Sequence, residues 1–379
     1  MNTGDRSERT NKICLAANTS WYLLNFRKEL IKLLLARGYS VWAVCPEDLY
    51  TQPLRDLGCE VSSISLPTSG LNPFRELLTV VSYRTAYAKV QPDLLLNFTI
   101  RPVIFGSISA DICRTRIVNT ITGLGTVFLS LRLLRPMVRI LLRHALSRAK
   151  TVVFQNVTDA RIFEKDRLVL PEQVLIIPGS GVNTRKFSFA SFEPQGKRVF
   201  LFVGRLLRDK GIYEFIEAAK RFSELDDVEF RVAGHPDAGN RSSIRQQDIQ
   251  RLSEESGVKF LGHLDDIRPA LRQATCVVLP SYREGMSRSL LEAASIGRPM
   301  IASDVPGCRE IVLDGWNGYL FPARSVERLA NAIRKIYRMS EPELTRFGKN
   351  SRTLVEKNFD ADSINRAYLN LIESVMKSG

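Results

Sequence analysis

The chain has 379 residues, 44 % of them hydrophobic and 25 % charged, enough for two soluble globular domains. Its net charge is +14, and residues 1–190 hold 25 Lys and Arg against 14 Asp and Glu, so the N-terminal half is built to face something anionic. No uncharged apolar run has the ~18 residues of a membrane span. The polar first twelve residues predict no signal peptide, and six scattered cysteines with three histidines argue against a disulfide framework or a zinc site, which leads to a reduced cytosolic setting.

Strand-length apolar runs alternate with helical periodicity. Residues 12–17 predict a buried strand, 23–37 an amphipathic helix closed by Gly38, and 40–45 a second strand. Further strands are expected at 60–65, 94–98, 116–120, 151–155 and 174–177. The turn-rich stretch 193–196 reads as a linker. The alternation then restarts with strand 198–203, helix 212–223, strand 229–233, helix 248–255 and strands 258–260 and 276–280. A loop and helix, a strand from Met300, and helices 325–339, 341–358 and 362–377 complete it. The pattern predicts two doubly wound α/β domains, 1–192 and 197–360, with residues 361–379 forming a helix that packs back on the first.

Two segments carry the chemistry. In FLFVGRLLRDKG, residues 200–211, an apolar strand ends at Gly204, and Arg205 and Lys210 follow on the loop at its C-terminal edge. In residues 282–310, Glu284 falls in a loop and Glu292 eight positions later in the next helix, with Gly285 at the junction. Ligands of open α/β sheets bind at this edge, a helix N-terminus there attracts phosphate, and a carboxylate in the following turn suits a ribose. Two cations can neutralise a departing diphosphate. A nucleoside diphosphate bearing another group fits this combination.

Three further segments are more equivocal. At the first strand–helix junction, Asn18, Thr19 and Ser20 could offer donors to a phosphate or could cap the helix. Residues 127–150 place Arg132, Arg135, Arg139 and Arg143 on one helical stripe with apolar residues around them. Such a helix can lie in an anionic membrane surface or pack as a core helix with a solvated arginine edge, and Pro136 would kink it or start a second helix. Asp360-Ala361-Asp362 spells D-x-D, but it does not follow an apolar strand and immediately precedes a helix, so it reads as a cap and no metal is expected.

VGRLLRDKG, followed by EGMSRSLLEA and then GRPMIASDVPGCREIVLDGWNGYLF, resembles the retaining nucleotide-sugar-dependent glycosyltransferases of family 4, the glycosyl transferases group 1. The resemblance spans nearly the whole chain. It implies the GT-B architecture, two Rossmann-like domains facing across a cleft. It also implies that Arg205 and Lys210 beside Gly204 bind the donor diphosphate, that Glu292 holds the ribose, and that Glu284 lies against the sugar, with Glu284, Arg205 and Lys210 carrying the catalysis. Backbone N–H groups around Gly285, Met286 and Ser287 would touch phosphate, and His263 and Leu264 would lie along the base. Asn18, Thr19, Ser20, Gly123 and Gly125 would form the acceptor and phosphate loop. The chain departs from the family in lacking glycines at 16–22 and a histidine near 119–125.

The Gly-Leu-Gly turn at 123–125 and the segments 50–58 and 71–74 are similar to members that add an N-acetylhexosamine to a sugar on undecaprenyl diphosphate, including those acting first on a bacillosamine-type carrier. That resemblance implies a UDP-sugar donor, a polyprenyl-diphosphate-linked acceptor and no cofactor or metal. It places the protein peripherally on the cytoplasmic face of the cell membrane, in bacterial surface polysaccharide or glycoprotein glycan synthesis. A same-face mechanism is favoured over a covalent one through Glu284. A UDP-sugar epimerase of the same fold and a transferase with a soluble acceptor are the alternatives. Nucleic-acid binding is disfavoured, because no recognised motif is present and the basic helix lacks interleaved aromatics.

Overall fold

The computed structural model describes residues 10–66, 73–110, 115–123, 135–193, 196–237, 239–240 and 242–377. The chain divides into two compact units, Met1–Ser180 with Asp362–Gly379, and Gly181–Ala361.

The first unit holds β1 (Lys12–Ala16), β2 (Ser40–Cys45), β3 (Glu60–Ser63), β4 (Leu94–Phe98), β5 (Arg116–Ile121), β6 (Thr151–Phe154) and β7 (Val174–Ile176). They form a parallel sheet in the order β3-β2-β1-β4-β5-β6-β7. The central strands β1 and β4, together with β6, are buried on both faces as near-continuous apolar runs rather than alternating ones, while the edge strands β3 and β7 are largely exposed. Along β1, Ile13 and Leu15 enter one core layer and Cys14 and Ala16 the other. The layer of Ile13 and Leu15 also takes Leu23, Leu30 and Leu34, together with Tyr368 and Ile372 of helix Ala361–Lys377.

The second unit holds β8 (Arg198–Val203), β9 (Val228–Ala233), β10 (Lys259–Gly262), β11 (Cys276–Leu279), β12 (Met300–Ser303) and β13 (Gly318–Phe321). These are parallel in the order β10-β9-β8-β11-β12-β13. In each sheet the winding reverses between the first and fourth strands, and the C-terminal edge at that reversal is where a doubly wound sheet leaves room for a ligand.

Two expectations are corrected. The units part at Ser180 and Gly181 rather than at 193–196, because residues after 181 belong to the second unit's core. Val182 donates to the Phe359 carbonyl at 2.9 Å and accepts from Ala361 at 3.0 Å, and Phe187 is buried with the second-unit residues. The helix expected over 23–37 is two, Ser20–Phe26 and Lys28–Ala36, broken at Arg27. Arg27 is fully buried, with its guanidinium 4.2 Å from the Phe98 ring and 4.7 Å from the Tyr368 ring, so it faces neither ligand nor solvent. Of the helix expected over 127–150, residues 127–134 lie outside the described residues, and Arg135–Ser147 is helical.

Candidate functional site

The edge at the reversal between β8 and β11 is assembled from three loops of the second unit. After β8, residues 204–211 run through a short 3₁₀ turn, Arg208–Lys210, into helix Ile212–Lys220. After β11, residues 280–287 lead into helix Arg288–Ile296. The backbones join where the Tyr282 N–H donates to the Asp209 carbonyl at 2.9 Å and the Ser281 hydroxyl donates to the same oxygen at 3.2 Å. Gly211 sits at φ +76°, and a Cβ there would lie 2.0 Å from the Pro280 carbonyl oxygen. Only glycine lets the two loops approach this closely.

That closeness places Lys210 on Glu284. The ammonium donates to both carboxylate oxygens, at 2.6 and 2.8 Å. The side chains are 25 % and 10 % exposed, so the pair is largely shielded but not sealed from solvent. Glu284 is held from behind by the loop after β12: its N–H donates to the Pro306 carbonyl at 3.3 Å, and a Cβ on Gly307 would lie 2.7 Å from the Glu284 carbonyl carbon. The Gly307 N–H in turn donates to Glu310 at 2.6 Å.

The other predicted residues take different places. Arg205 is 54 % exposed and pairs with Asp237 on the loop after β9 at 2.7 Å, so it does not join the Lys210–Glu284 pair. Ser287 caps helix Arg288–Ile296, its hydroxyl accepting from the Leu290 N–H, while its own N–H is spent on the Gly307 carbonyl at 3.1 Å. Met286 packs on the rim of the core. Glu292 accepts from Arg288 at 2.9 Å, and burial raises its carboxyl pKa against the opposing pull of Arg288. His263 is exposed, edge-on to His235 at 5.2 Å, and Leu264 packs on the core rim beside it. Gly204 and Gly285 lie on the loops already described.

Sequence reasoning missed the brace behind the site. The Tyr282 hydroxyl donates to Glu214 at 2.6 Å, and the Arg324 guanidinium stacks 4.5 Å from the Tyr282 ring. Burial and the neighbouring Glu214 push the Tyr282 phenol up to about 12. Partners so far apart in sequence leave no local signal.

In the first unit, the corresponding edge lies between β1 and β4. The Asn18 N–H donates to the Thr99 hydroxyl at 3.2 Å, and the buried Asn18 Oδ1 has no partner. Thr99 itself is held at φ +69°, a strained setting for a β-branched residue and one that clusters at functional sites. Thr19 caps helix Ser20–Phe26 by accepting from the Tyr22 N–H, and the Ser20 hydroxyl donates to Asp48. Gly123, at φ +129°, follows β5. Gly125 and Arg132 lie outside the described residues, Arg135 is the first described residue of helix Arg135–Ser147, and Arg139 and Arg143 are exposed on it. Asp360 accepts from the Thr184 hydroxyl at 2.6 Å rather than joining other acids. Among the described residues no three His, Cys, Asp or Glu are grouped to hold a metal, and the five described cysteines are buried and unpaired.

Residues 12–156 match the family described as glycosyl transferase 4-like, and residues 183–354 match glycosyl transferases group 1. The chain belongs to this family and is a glycosyltransferase of GT-B fold class. It is 26 % identical, over 94 % of its length and 96 % of the relative's, to an N,N'-diacetylbacillosaminyl-diphospho-undecaprenol alpha-1,3-N-acetylgalactosaminyltransferase from Campylobacter jejuni. It is 25 % identical, over 90 % of its length and 92 % of the relative's, to a UDP-Gal:alpha-D-GlcNAc-diphosphoundecaprenol alpha-1,3-galactosyltransferase from Escherichia coli. The solved structure of sucrose-phosphate synthase from Thermosynechococcus elongatus superposes with a TM-score of 0.82 at 20 % identity, covering 97 % of this chain and all of that one.

Proposed function

We propose that the protein transfers an N-acetylhexosamine, with retention of configuration, from a UDP-sugar to a saccharide on undecaprenyl diphosphate. The reaction would serve bacterial surface polysaccharide or glycoprotein glycan assembly at the cytoplasmic face of the membrane. The observation that carries this reading is the Lys210–Glu284 pair on the edge between β8 and β11, where a nucleotide sugar fits a doubly wound sheet. The end-to-end similarity to transferases named for undecaprenyl-linked acceptors supports the acceptor class. No helix among the described residues is long and apolar enough to cross a membrane, which fits a peripheral enzyme.

In this reading Lys210 turns from Glu284 to the donor diphosphate, with Arg205 released from Asp237 to assist it. Glu292 takes the ribose hydroxyls, and His263 and Leu264 flank the base. Glu284, relieved of Lys210, faces the donor sugar. The bond from the anomeric carbon to the β-phosphate oxygen breaks, and its electron pair stays on the diphosphate, which the cations stabilise. The acceptor hydroxyl oxygen bonds the same carbon from the same face and passes its proton to the departing phosphate. No step calls on a metal. The first unit would hold the acceptor along Asn18, Thr19, Ser20 and the 123–125 turn.

The test is a panel of UDP-, GDP- and ADP-sugars incubated with and without a short polyprenyl-diphosphate-sugar. UDP release only with the lipid-linked acceptor, and a product of unchanged anomeric configuration by NMR, is the expected result. Epimer release without acceptor would make the protein an epimerase. Transfer to a free sugar alone would move the acceptor out of the lipid, and failure to bind UDP would remove the donor site altogether.

A further inference from the structure

The acceptor of the proposed reaction carries a diphosphate, yet the first-unit residues that would hold it, Asn18, Thr19 and Ser20, are neutral and mostly hydrogen-bonded to their own surroundings. A diphosphate drawn out of water needs charge-assisted donors. Few charges stand at this edge. In the segments that leave the C-terminal ends of the seven strands, up to the next helix or the end of the unit, the described residues include a single Lys or Arg, which is Arg101 after β4. The two acids there, Glu47 and Asp48, follow β2 and are tied locally. Glu47 accepts from Arg55 at 3.1 Å and from the Ser63 hydroxyl at 3.0 Å, and Asp48 accepts from the Tyr50 N–H at 2.8 Å.

Unusual backbone fixes Arg101 from both sides. Two positions before it, Thr99 is held at φ +69°, its hydroxyl accepting from the Asn18 N–H and its carbonyl from the Val103 N–H at 3.2 Å. Directly after it, Pro102–Gly106 forms a π-helical turn whose five residues are all buried. Such turns are rare and are found frequently at functional sites. A Cβ on Gly106 would lie 2.7 Å from the Tyr87 hydroxyl, so the turn is pressed against helix Pro73–Val90, the helix that carries Glu76.

The Arg101 guanidinium donates to one Glu76 oxygen at 3.1 Å, with the two side chains 19 % and 10 % exposed. Of the ion pairs described in the first unit it is the most shielded. The second Glu76 oxygen is buried and accepts nothing. A guanidinium–carboxylate pair is strongest when both oxygens are engaged, and a shielded pair short of that gains little over apolar packing. Stability therefore does not explain why this pair stands at the ligand edge. It parallels the second unit, where Lys210 rests half-shielded on Glu284. Each cation stands at the C-terminal edge of a strand flanking the winding reversal, on a carboxylate from another element.

We propose that Arg101 binds the diphosphate that joins the acceptor saccharide to its isoprenoid, and that Glu76 holds the guanidinium in place of that diphosphate until the acceptor arrives. The proposal deepens the reading of a lipid-linked acceptor and rests on it. An arginine suits the role because its planar fork meets two phosphate oxygens at once. The first unit then recognises its ligand by one charged group and several neutral ones, with the charge on the diphosphate and the neutral donors and acceptors left for hydroxyl groups.

The test is calorimetric titration of the purified full chain with a water-soluble short-chain isoprenyl diphosphate, with UDP present to fill the second unit's site. The wild type is expected to bind it, and Arg101→Gln to bind it about tenfold or more weakly, the loss expected for hydrogen bonds to a charged group. Arg101→Lys should lose severalfold, because it keeps the charge and gives up the fork. Glu76→Gln should bind severalfold more tightly, because the carboxylate no longer competes for the guanidinium. Affinity for UDP alone should stay at the wild-type value in all three variants. A wild type that ignores the isoprenyl diphosphate, or an Arg101→Gln variant that binds it equally well, would overturn the proposal. An equal loss of UDP affinity would also overturn it by moving Arg101 to the donor. Should Arg101→Gln not fold, Glu76→Gln decides: tighter binding supports the proposal, and equal or weaker binding makes the pair a structural one. Arg101-dependent binding without UDP release on any lipid-linked acceptor would sink the proposed reaction and leave the diphosphate site standing.

Discussion

At the winding reversal of the second unit, between β8 and β11, glycines let one loop press against the next, whereas at that of the first, between β1 and β4, side chains fill the same place. Gly211 and Gly307 bring backbone against Pro280 and Glu284, and the outcome is a shielded Lys210–Glu284 pair. Across the other edge, Asn18 is tied to Thr99, Thr19 caps its helix and Ser20 is tied to Asp48. The topology is shared, so the difference lies in residue type. A glycine edge exposes backbone and concentrates charge, which suits a diphosphate. An edge of small polar side chains is largely tied up in its own hydrogen bonds, with the buried Asn18 Oδ1 left without a partner, and a ligand reaching Thr19 or Ser20 has to displace contacts already made.

The largest effect expected from this contrast is on Lys210. Lys210→Met removes the cation placed to stabilise the leaving diphosphate, and transfer should fall about 10²–10³-fold, mainly in kcat. Ser20→Ala in the first unit breaks a contact that is already local and should cost less than about tenfold. Comparable losses in steady-state kinetics would mean that the two edges contribute alike and that the contrast in residue type has no catalytic meaning.

Backbone packing gives the next effect. Gly211 at φ +76° and Gly38 at φ +80° share a left-handed conformation, but a Cβ on Gly38 meets nothing within 4 Å while one on Gly211 meets the Pro280 carbonyl. Gly38→Ala should cost only the conformational penalty, about 1 kcal/mol. Gly211→Ala should cost about 3 kcal/mol or more, because the two loops must part, and should weaken UDP binding with it. Equal shifts in thermal midpoint would show that the loops of the second unit give way easily.

Much of this was legible in the sequence, and the parts that were not share a physical reason. β2, β4 and β8 are short apolar runs between turn residues, and their bounds fall where the sequence places them. The spacing of Glu284 and Glu292 likewise reads directly as loop and helix. β13 was missed because it has only four residues, two of them half-buried and one a glycine. The break at Arg27 was missed because the leucine periodicity runs on either side of it, and nothing local announces that an arginine will be enclosed by Phe98 and Tyr368. The partners of Arg205 and Tyr282 are Asp237 and Glu214, which a sequence places 32 and 68 positions away. Elements follow from local chemistry, while the hydrogen-bond partners at a sheet edge follow from which strands become neighbours.

The smallest effect is the most discriminating, because function and stability should move in opposite directions. Burial raises the Glu292 pKa more than Arg288 lowers it. The folded state thus holds this proton more tightly than the unfolded chain does, so stability falls as pH rises from the unfolded value of ~4.3 through the folded one, and stays lower above both. Glu292→Gln removes that dependence. The variant should match the wild type at acidic pH and melt about 1–3 °C higher near neutrality. If Glu292 holds the ribose, the same variant should bind UDP about tenfold more weakly, the loss expected for a hydrogen bond to a charged group. A lower midpoint near neutrality would mean that the 2.9 Å contact with Arg288 outweighs the cost of burial. Unchanged UDP affinity would make the residue a helix-surface carboxylate with no part in the site.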